Sequence, residues 1–213
     1  MKLTLLSSVL ALSSTSLAAT STGIIVEPKT NISFSSFSDS ASGYTFGIAL
    51  PTTPGTDFIG YLAGKGVGWS GVSLGGPMTN KLLVVAWPNS KATSIVGSFR
   101  EVAKYGPPPE VTGTFTQTAI PAGTYTDGKT WSYVFLCSKC IASDGTTFAA
   151  TDATGALGWA VNAAAPATPD KSSSSLSKHT SQGKISLDLK AAQSANYATW
   201  AALATKSSRI VRK

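Results

Sequence analysis

Apolar and polar residues alternate with a period of two through most of this chain, in short runs separated by glycine and proline. The clearest run is Thr130 to Cys137, where Trp131, Tyr133, Phe135 and Cys137 point one way and Thr130, Ser132 and Val134 the other. Ile185, Leu187 and Leu189 alternate in the same manner with Lys184, Ser186 and Asp188. Further strand-like runs are Gly23 to Val26, Asn31 to Phe34, Tyr44 to Leu50, Asp57 to Ala63, Gly66 to Leu74, Val111 to Ile120 and Leu157 to Val161. Leu82 to Trp87 is nearly all apolar and predicts a strand buried on both faces, while Thr93 to Val102 is mixed. Turns are marked by Pro51 to Gly55, by Pro107-Pro108-Pro109 and by Pro121-Ala122-Gly123. Residues 162–178 form a loop rich in Ala, Pro and Ser, and the alanine-rich stretch Lys190 to Thr205 is the one good helix candidate. Many short strands joined by Gly/Pro turns predict an all-β fold, a two-sheet sandwich with a short C-terminal helix.

Composition narrows the setting. Two hundred and thirteen residues make one domain or two small ones. Residues 1–19 have the layout of a secretory signal peptide: Lys2, the apolar stretch Leu3 to Leu12, and the small-residue site Ser16-Leu17-Ala18-Ala19. The domain then occupies 20–205, and 206–213 is a basic tail. The apolar stretch is too short to span a bilayer, so the mature chain is expected to be secreted, soluble and extracellular. More than half of the formal +7 charge sits in that tail, on Lys206, Arg209, Arg212 and Lys213, so the body lacks the footprint of a nucleic-acid binder. Asn31-Ile32-Ser33 is a glycosylation sequon.

Candidate chemistry centres on two residues. Met78 sits at the tip of a turn, just after Gly75-Gly76-Pro77, away from the cores that methionine usually fills. His179 is the single histidine. A thioether and an imidazole are the pair that ligates a cytochrome iron and raises its potential; the plainer reading is a gap-filling methionine and a solvated histidine. One histidine argues against a multi-histidine zinc site, and no G-x-S-x-G elbow accompanies it. Gly66 to Gly71 matches G-x-G-x-x-G but lies between strands rather than between a strand and a helix. Cys137-Ser-Lys-Cys140 reads as a redox dithiol in a cytosolic βαβ setting and as a structural disulfide in a secreted chain. Ile141 follows it, so the C-x-x-C-H signature of covalent heme is absent and any heme is non-covalent.

The run Gly68 to Asn89, with Gly-Gly-Pro-Met-Thr-Asn followed by Leu-Leu-Val-Val-Ala-Trp, resembles the cytochrome domain of fungal cellobiose dehydrogenases and the related free-standing iron reductase domains. Trp131 to Cys140, Leu157-Gly-Trp-Ala, Leu176-Ser-Lys-His179-Thr180 and Ser194-Ala-Asn-Tyr197 extend the resemblance over about residues 44–203. It implies an immunoglobulin-like sandwich of the DOMON type holding heme b, with Met78 and His179 as axial ligands and a Cys137–Cys140 disulfide. Tyr105 aligns with a family tyrosine near the heme edge. Arg100 is a candidate propionate partner, with a surface arginine as the plainer reading. Where the family often has aromatic residues after the histidine, Ser181-Gln182-Gly183-Lys184 stands.

The expected function is single-electron relay by a secreted monomer, with no flavin dehydrogenase domain or cellulose-binding module in the chain. The donor would be a separate flavin dehydrogenase or small reductant, and the acceptor a copper polysaccharide monooxygenase, ferric iron or a quinone. The alternative is a cofactor-free carbohydrate-binding module that stacks sugars on exposed Trp69, Trp87 or Trp159.

Overall fold

The computed structural model describes residues 20–205; the expected signal peptide (1–19) and basic tail (206–213) lie outside the described residues. The strands in chain order are β1 (Thr20–Val26), β2 (Ser33–Asp39), β3 (Tyr44–Pro51), β4 (Phe58–Lys65), β5 (Trp69–Ser73), β6 (Leu83–Pro88) and β7 (Ile95–Arg100). Then come β8 (Thr116–Ala119), β9 (Tyr125–Thr126), β10 (Thr130–Ser138), β11 (Thr154–Asn162), β12 (Ser181–Asp188) and β13 (Gln193–Ser194). One short helix, α1 (Tyr197–Ala201), runs into a 3-10 turn over Ala202–Thr205.

Two sheets result. The first runs β1-β2-β3-β4-β10-β8, with β13 parallel to β3 and β9 beside β10; the second runs β12-β11-β5-β6-β7, all antiparallel. This is the predicted two-sheet β-sandwich. The period-two pattern decides what fills it. Phe46, Ile48, Phe58, Leu62, Tyr133 and Phe135 of the first sheet meet Val72, Val84, Leu157, Trp159, Ile185 and Leu187 of the second in one core. The opposite face of the first sheet carries Ile32, Phe34, Ala49, Ile59 and Val134, covered by Tyr197, Trp200 and Leu203 at the C-terminus. The opposite face of the second sheet carries Trp69, Leu83, Val85 and Trp87, with Leu176 and Met78 packed on them. Strand β6 is therefore buried on both sides, as its unbroken apolar run predicts.

Three readings change. The helix is much shorter than Lys190 to Thr205, because Asp188 accepts the Ala191 amide at 2.9 Å and Gln193–Ser194 pairs with β3 before Tyr197 is reached. The run Val111 to Ile120 yields a strand only at β8, Thr116–Ala119. Strand β2 extends to Asp39, with Ser35 and Ser36 buried, beyond the expected run Asn31 to Phe34. Cys137 and Cys140 are joined, with Cα atoms 5.6 Å apart, and both are buried. Gly66 sits at φ +59 in the β4–β5 turn, outside any strand-to-helix phosphate loop.

Candidate functional site

Small side chains hollow out the outer face of the second sheet. Ladder pairing sets Gln182, Ala160, Gly71 and Val85 side by side across β12, β11, β5 and β6. The adjacent outward row is Lys184, Gly158, Ser73 and Leu83. The centre of this face, Gly71, Ala156, Gly158 and Ala160, is nearly without side-chain bulk, whereas Leu83 and Val85 at one side are large. The result is a cleft of about 1550 Å³, predominantly apolar, lined by residues that include both Met78 and His179.

Met78 lies on the β5–β6 turn, half-buried. Ser73 Oγ donates to the Pro77 carbonyl at 2.6 Å, Leu74 N to Leu82 O at 3.0 Å, and Asn80 N to Val102 O at 2.9 Å, so the turn is fixed on both sides of the methionine. The turn also rests on β11. A Cβ built on Gly158 would stand 2.2 Å from the Gly76 carbonyl oxygen, and Gly76 itself has φ +94, a conformation glycine adopts without strain.

His179 precedes β12 and is likewise half-buried. Asn162 Nδ2 donates to the Lys178 carbonyl at 2.6 Å, and Thr180 N donates to the Val161 carbonyl at 2.8 Å. The histidine is thus held at the Asn162/Trp69 end of the β11–β5 pair and the methionine at the Gly158/Ser73 end. Those ends are four residues apart, about 13 Å along an extended strand.

The walls are braced by Arg100, which is 1% exposed. Its Nε donates to Ser98 Oγ at 2.7 Å, its Nη1 to Pro108 O at 3.0 Å, and its Nη2 to Ser174 O at 2.8 Å and to Ser172 O. Its guanidinium also lies 5.8 Å from the Trp87 ring centroid. Burial lowers its affinity for its proton, and Glu110 opposes that. Arg100 is therefore neither a surface residue nor part of the cleft lining. It ties the proline loop 103–109 to the loop that leads to His179. The second loop is held further by Trp87 Nε1, which donates to Pro169 O at 2.8 Å, and by Ser90, whose hydroxyl donates to Asp170 at 2.7 Å.

Tyr105 does line the cleft and is 82% exposed, standing on its lip. Lys178 and Lys184 also line it, and no acidic residue does among the described residues. Asn31 is exposed on the turn before β2 and is remote from the cleft lining. The tryptophan platform of the carbohydrate-binding alternative is not formed: Trp87 is 0%, Trp69 6% and Trp159 8% exposed. Each ring is drawn into a core by its neighbours. Trp159 stacks on Tyr44 at 5.0 Å, and Trp69 and Trp87 pack with Leu83 and Val85. Neither Asn162 nor Arg100's bracing role is visible in the residue pattern, because both act largely through backbone carbonyls of other segments. The small residues Ala156, Gly158 and Ala160, at every second position of β11, were a visible signal of a hollowed sheet face.

No set of three or more His, Cys, Asp or Glu capable of holding a metal occurs among the described residues. No helix among them is long and apolar enough to cross a membrane. Residues 25–199 match the family model of the cytochrome domain of cellobiose dehydrogenase. The chain belongs to this family. A curated relative, the pyrroloquinoline quinone-dependent pyranose dehydrogenase of Coprinopsis cinerea, is 30% identical over 175 residues, which cover 79% of this chain. The chain spans about a quarter of that relative's length (24%). Among solved structures, the cytochrome domain of Myriococcum thermophilum cellobiose dehydrogenase is similar at 31% identity and a TM-score of 0.75, over 87% of this chain and 97% of that one. The cytochrome b domain of pyranose dehydrogenase from Coprinopsis cinerea is similar at 27% identity and a TM-score of 0.77, over 88% and 97%. The two solved cytochrome domains share the two-sheet fold described above.

Proposed function

We propose that this chain is a secreted electron carrier that holds one heme b in the cleft on the outer face of the second sheet, with Met78 and His179 as its axial ligands. The observation that carries the reading is that the one histidine and the turn methionine, far apart in sequence, line the same cleft from opposite ends of its floor. The residues present fit a flat apolar macrocycle. The floor is Gly71, Ala156, Gly158 and Ala160, and apolar walls come from Trp69, Leu83, Val85 and Leu176. Polar groups, Tyr105, Lys178 and Lys184, also line it, and they suit a molecule that carries carboxylates. Bound there, heme b supplies reversible one-electron chemistry, and Met/His ligation favours the reduced iron.

The chain's own residues supply the rest. Met78 and His179 would together hold the iron and so would keep oxygen and substrates from binding to it. The bonded turns around each ligand keep them in place whichever charge the site bears, which lowers the reorganisation that electron transfer demands. Two cationic side chains without an acidic neighbour in the lining favour the more negative, reduced state.

The relatives' setting supports the donor, and the acceptor is proposed from the sequence reading alone. The donor is a flavin or pyrroloquinoline quinone dehydrogenase; the second class is suggested by the curated relative and was not expected from the sequence. The acceptor is a copper polysaccharide monooxygenase, ferric iron or a quinone, in the oxidative breakdown of lignocellulose. Secretion after removal of residues 1–19, glycosylation of Asn31 and a monomeric state complete the proposal.

The test is to reduce hemin-loaded protein with dithionite and then expose it to carbon monoxide or to ferricyanide. The proposal expects no carbon monoxide adduct and complete reoxidation with one ferricyanide per heme. A tight adduct at micromolar carbon monoxide would mean an open axial position and would contradict the carrier assignment.

A further inference from the structure

The bond from Asn162 to the residue before His179 has a role that the fold does not require. Asn162 closes β11 opposite Trp69 and is 8% exposed. Its Oδ1 accepts the Ala164 amide at 2.7 Å, which starts the loop, and its Nδ2 donates to the Lys178 carbonyl at 2.6 Å, which ends the loop. The two bonds orient the amide unambiguously, since an N–H faces one end and a carbonyl the other. On the far side of the histidine, Thr180 N and Thr180 Oγ1 reach the Val161 carbonyl at 2.8 and 3.3 Å. Consecutive residues of β11 therefore hold the backbone immediately before and after His179. Gly68 makes room for this end of the strand: a Cβ there would stand 2.1 Å from the Asn162 carbonyl oxygen.

We infer that Asn162 is a positioning residue for His179, acting through the Lys178 carbonyl to fix where the imidazole enters the cleft. The inference rests on the heme reading above. With both flanking peptides held, the imidazole retains only its own two side-chain torsions. Without the Asn162 bond, the loop from Ala163 to Lys178 is tied to β11 only beyond the histidine. The imidazole then samples positions away from the iron, at a site where a displacement of about an ångström already matters.

The experiment compares wild type with N162A and N162D. N162D keeps the acceptor for Ala164 and loses only the donor to Lys178, so it separates the tether from the turn. In hemin-loaded protein, both variants are expected to show a mixture of low-spin and high-spin oxidised spectra where wild type is low-spin. Millimolar imidazole is expected to restore the low-spin form. In heme-free protein, the Thr180 amide is expected to exchange with solvent about fivefold to tenfold faster, the loss of roughly one hydrogen bond, while amides of β4 and β10 keep their protection. Wild-type spectra and wild-type Thr180 exchange in both variants would overturn the role of Asn162 and leave the heme reading standing. A wild-type chain that takes up no hemin would overturn the heme reading itself, and the exchange measurement would still decide whether the tether holds the segment.

Discussion

Removing the Arg100 side chain should unlock both walls of the cleft at once. Arg100→Ala deprives four acceptors of their donors: the Ser98 hydroxyl and the carbonyls of Pro108, Ser172 and Ser174. Hydrogen bonds to a charged group contribute roughly 1.5–3 kcal/mol each, but the cost of burying the guanidinium is recovered, and water can reach some of the freed carbonyls. A buried acceptor left without its donor costs about 1–3 kcal/mol, so four of them, with the guanidinium's burial cost recovered, leave a net loss of about 3–5 kcal/mol. For a domain of this size each kcal/mol lowers Tm by about 2–4 °C, so the expected fall is roughly 6–20 °C. Arg100→Met keeps a stem to pack near Trp87 and removes every donor; it is expected to cost within about 1 kcal/mol of Arg100→Ala, because the donors dominate. Arg100→Lys should fall between, since a single ammonium cannot serve acceptors on three segments. Urea unfolding followed by tryptophan fluorescence reads the midpoint, with an unchanged slope as the check on two-state behaviour. If Arg100→Met were as stable as wild type, the bracing account would be wrong and the arginine would be a packing residue.

Three further outcomes follow from the geometry. Gly158→Ala forces a Cβ against the Gly76 carbonyl and should cost about 1–3 kcal/mol and weaken hemin uptake, whereas on Gly71 the nearest atom to a Cβ is the Val85 Cγ2 methyl at 3.2 Å, so Gly71→Ala should cost less than about 1 kcal/mol; parallel urea titrations compare them. Cys137→Ser with Cys140→Ser opens a very short loop and should cost about 2 kcal/mol, read as a midpoint shift that added reductant reproduces in wild type. Burial raises the hydroxyl pKa of Tyr44 and Tyr133 well above the ordinary value and that of Tyr61 to about 12. Unfolded tyrosines ionise near pH 10 while these stay protonated, so stability should be level up to about pH 10 and fall steadily towards pH 12, measured by urea midpoints across that range.

Much of this could be read from the chain because burial writes a period-two pattern. Trp131, Tyr133 and Phe135 fall on the core side of β10, and the unbroken Leu83 to Trp87 run is a strand covered on both faces. Met78 and His179 stood out because each was rare and oddly placed. The carbohydrate-binding alternative misplaced the tryptophans, since alternation assigns a side chain to one of two faces but does not say whether a loop covers that face. The loops carrying Leu176 and the proline run cover it here. Arg100 and Asn162 were hidden for a related reason. Their partners are main-chain carbonyls, which every residue has, so no side-chain motif announces the bond. The helix was overread because alanine propensity extends from Ala191 onward, while Asp188, Ser194 and the pairing of Gln193 with Leu50 hold the first half of that stretch in another conformation.

The most direct test of the central claim is a hemin titration of the purified protein, followed by visible spectra before and after dithionite. One equivalent of tightly held heme is predicted, with a sharp Soret band that shifts on reduction and resolved α and β bands, the signature of a six-coordinate low-spin iron. Met78→Ala and His179→Ala should each lose those bands while keeping the fold. A protein that stays colourless, or low-spin spectra that survive both substitutions, would contradict the account.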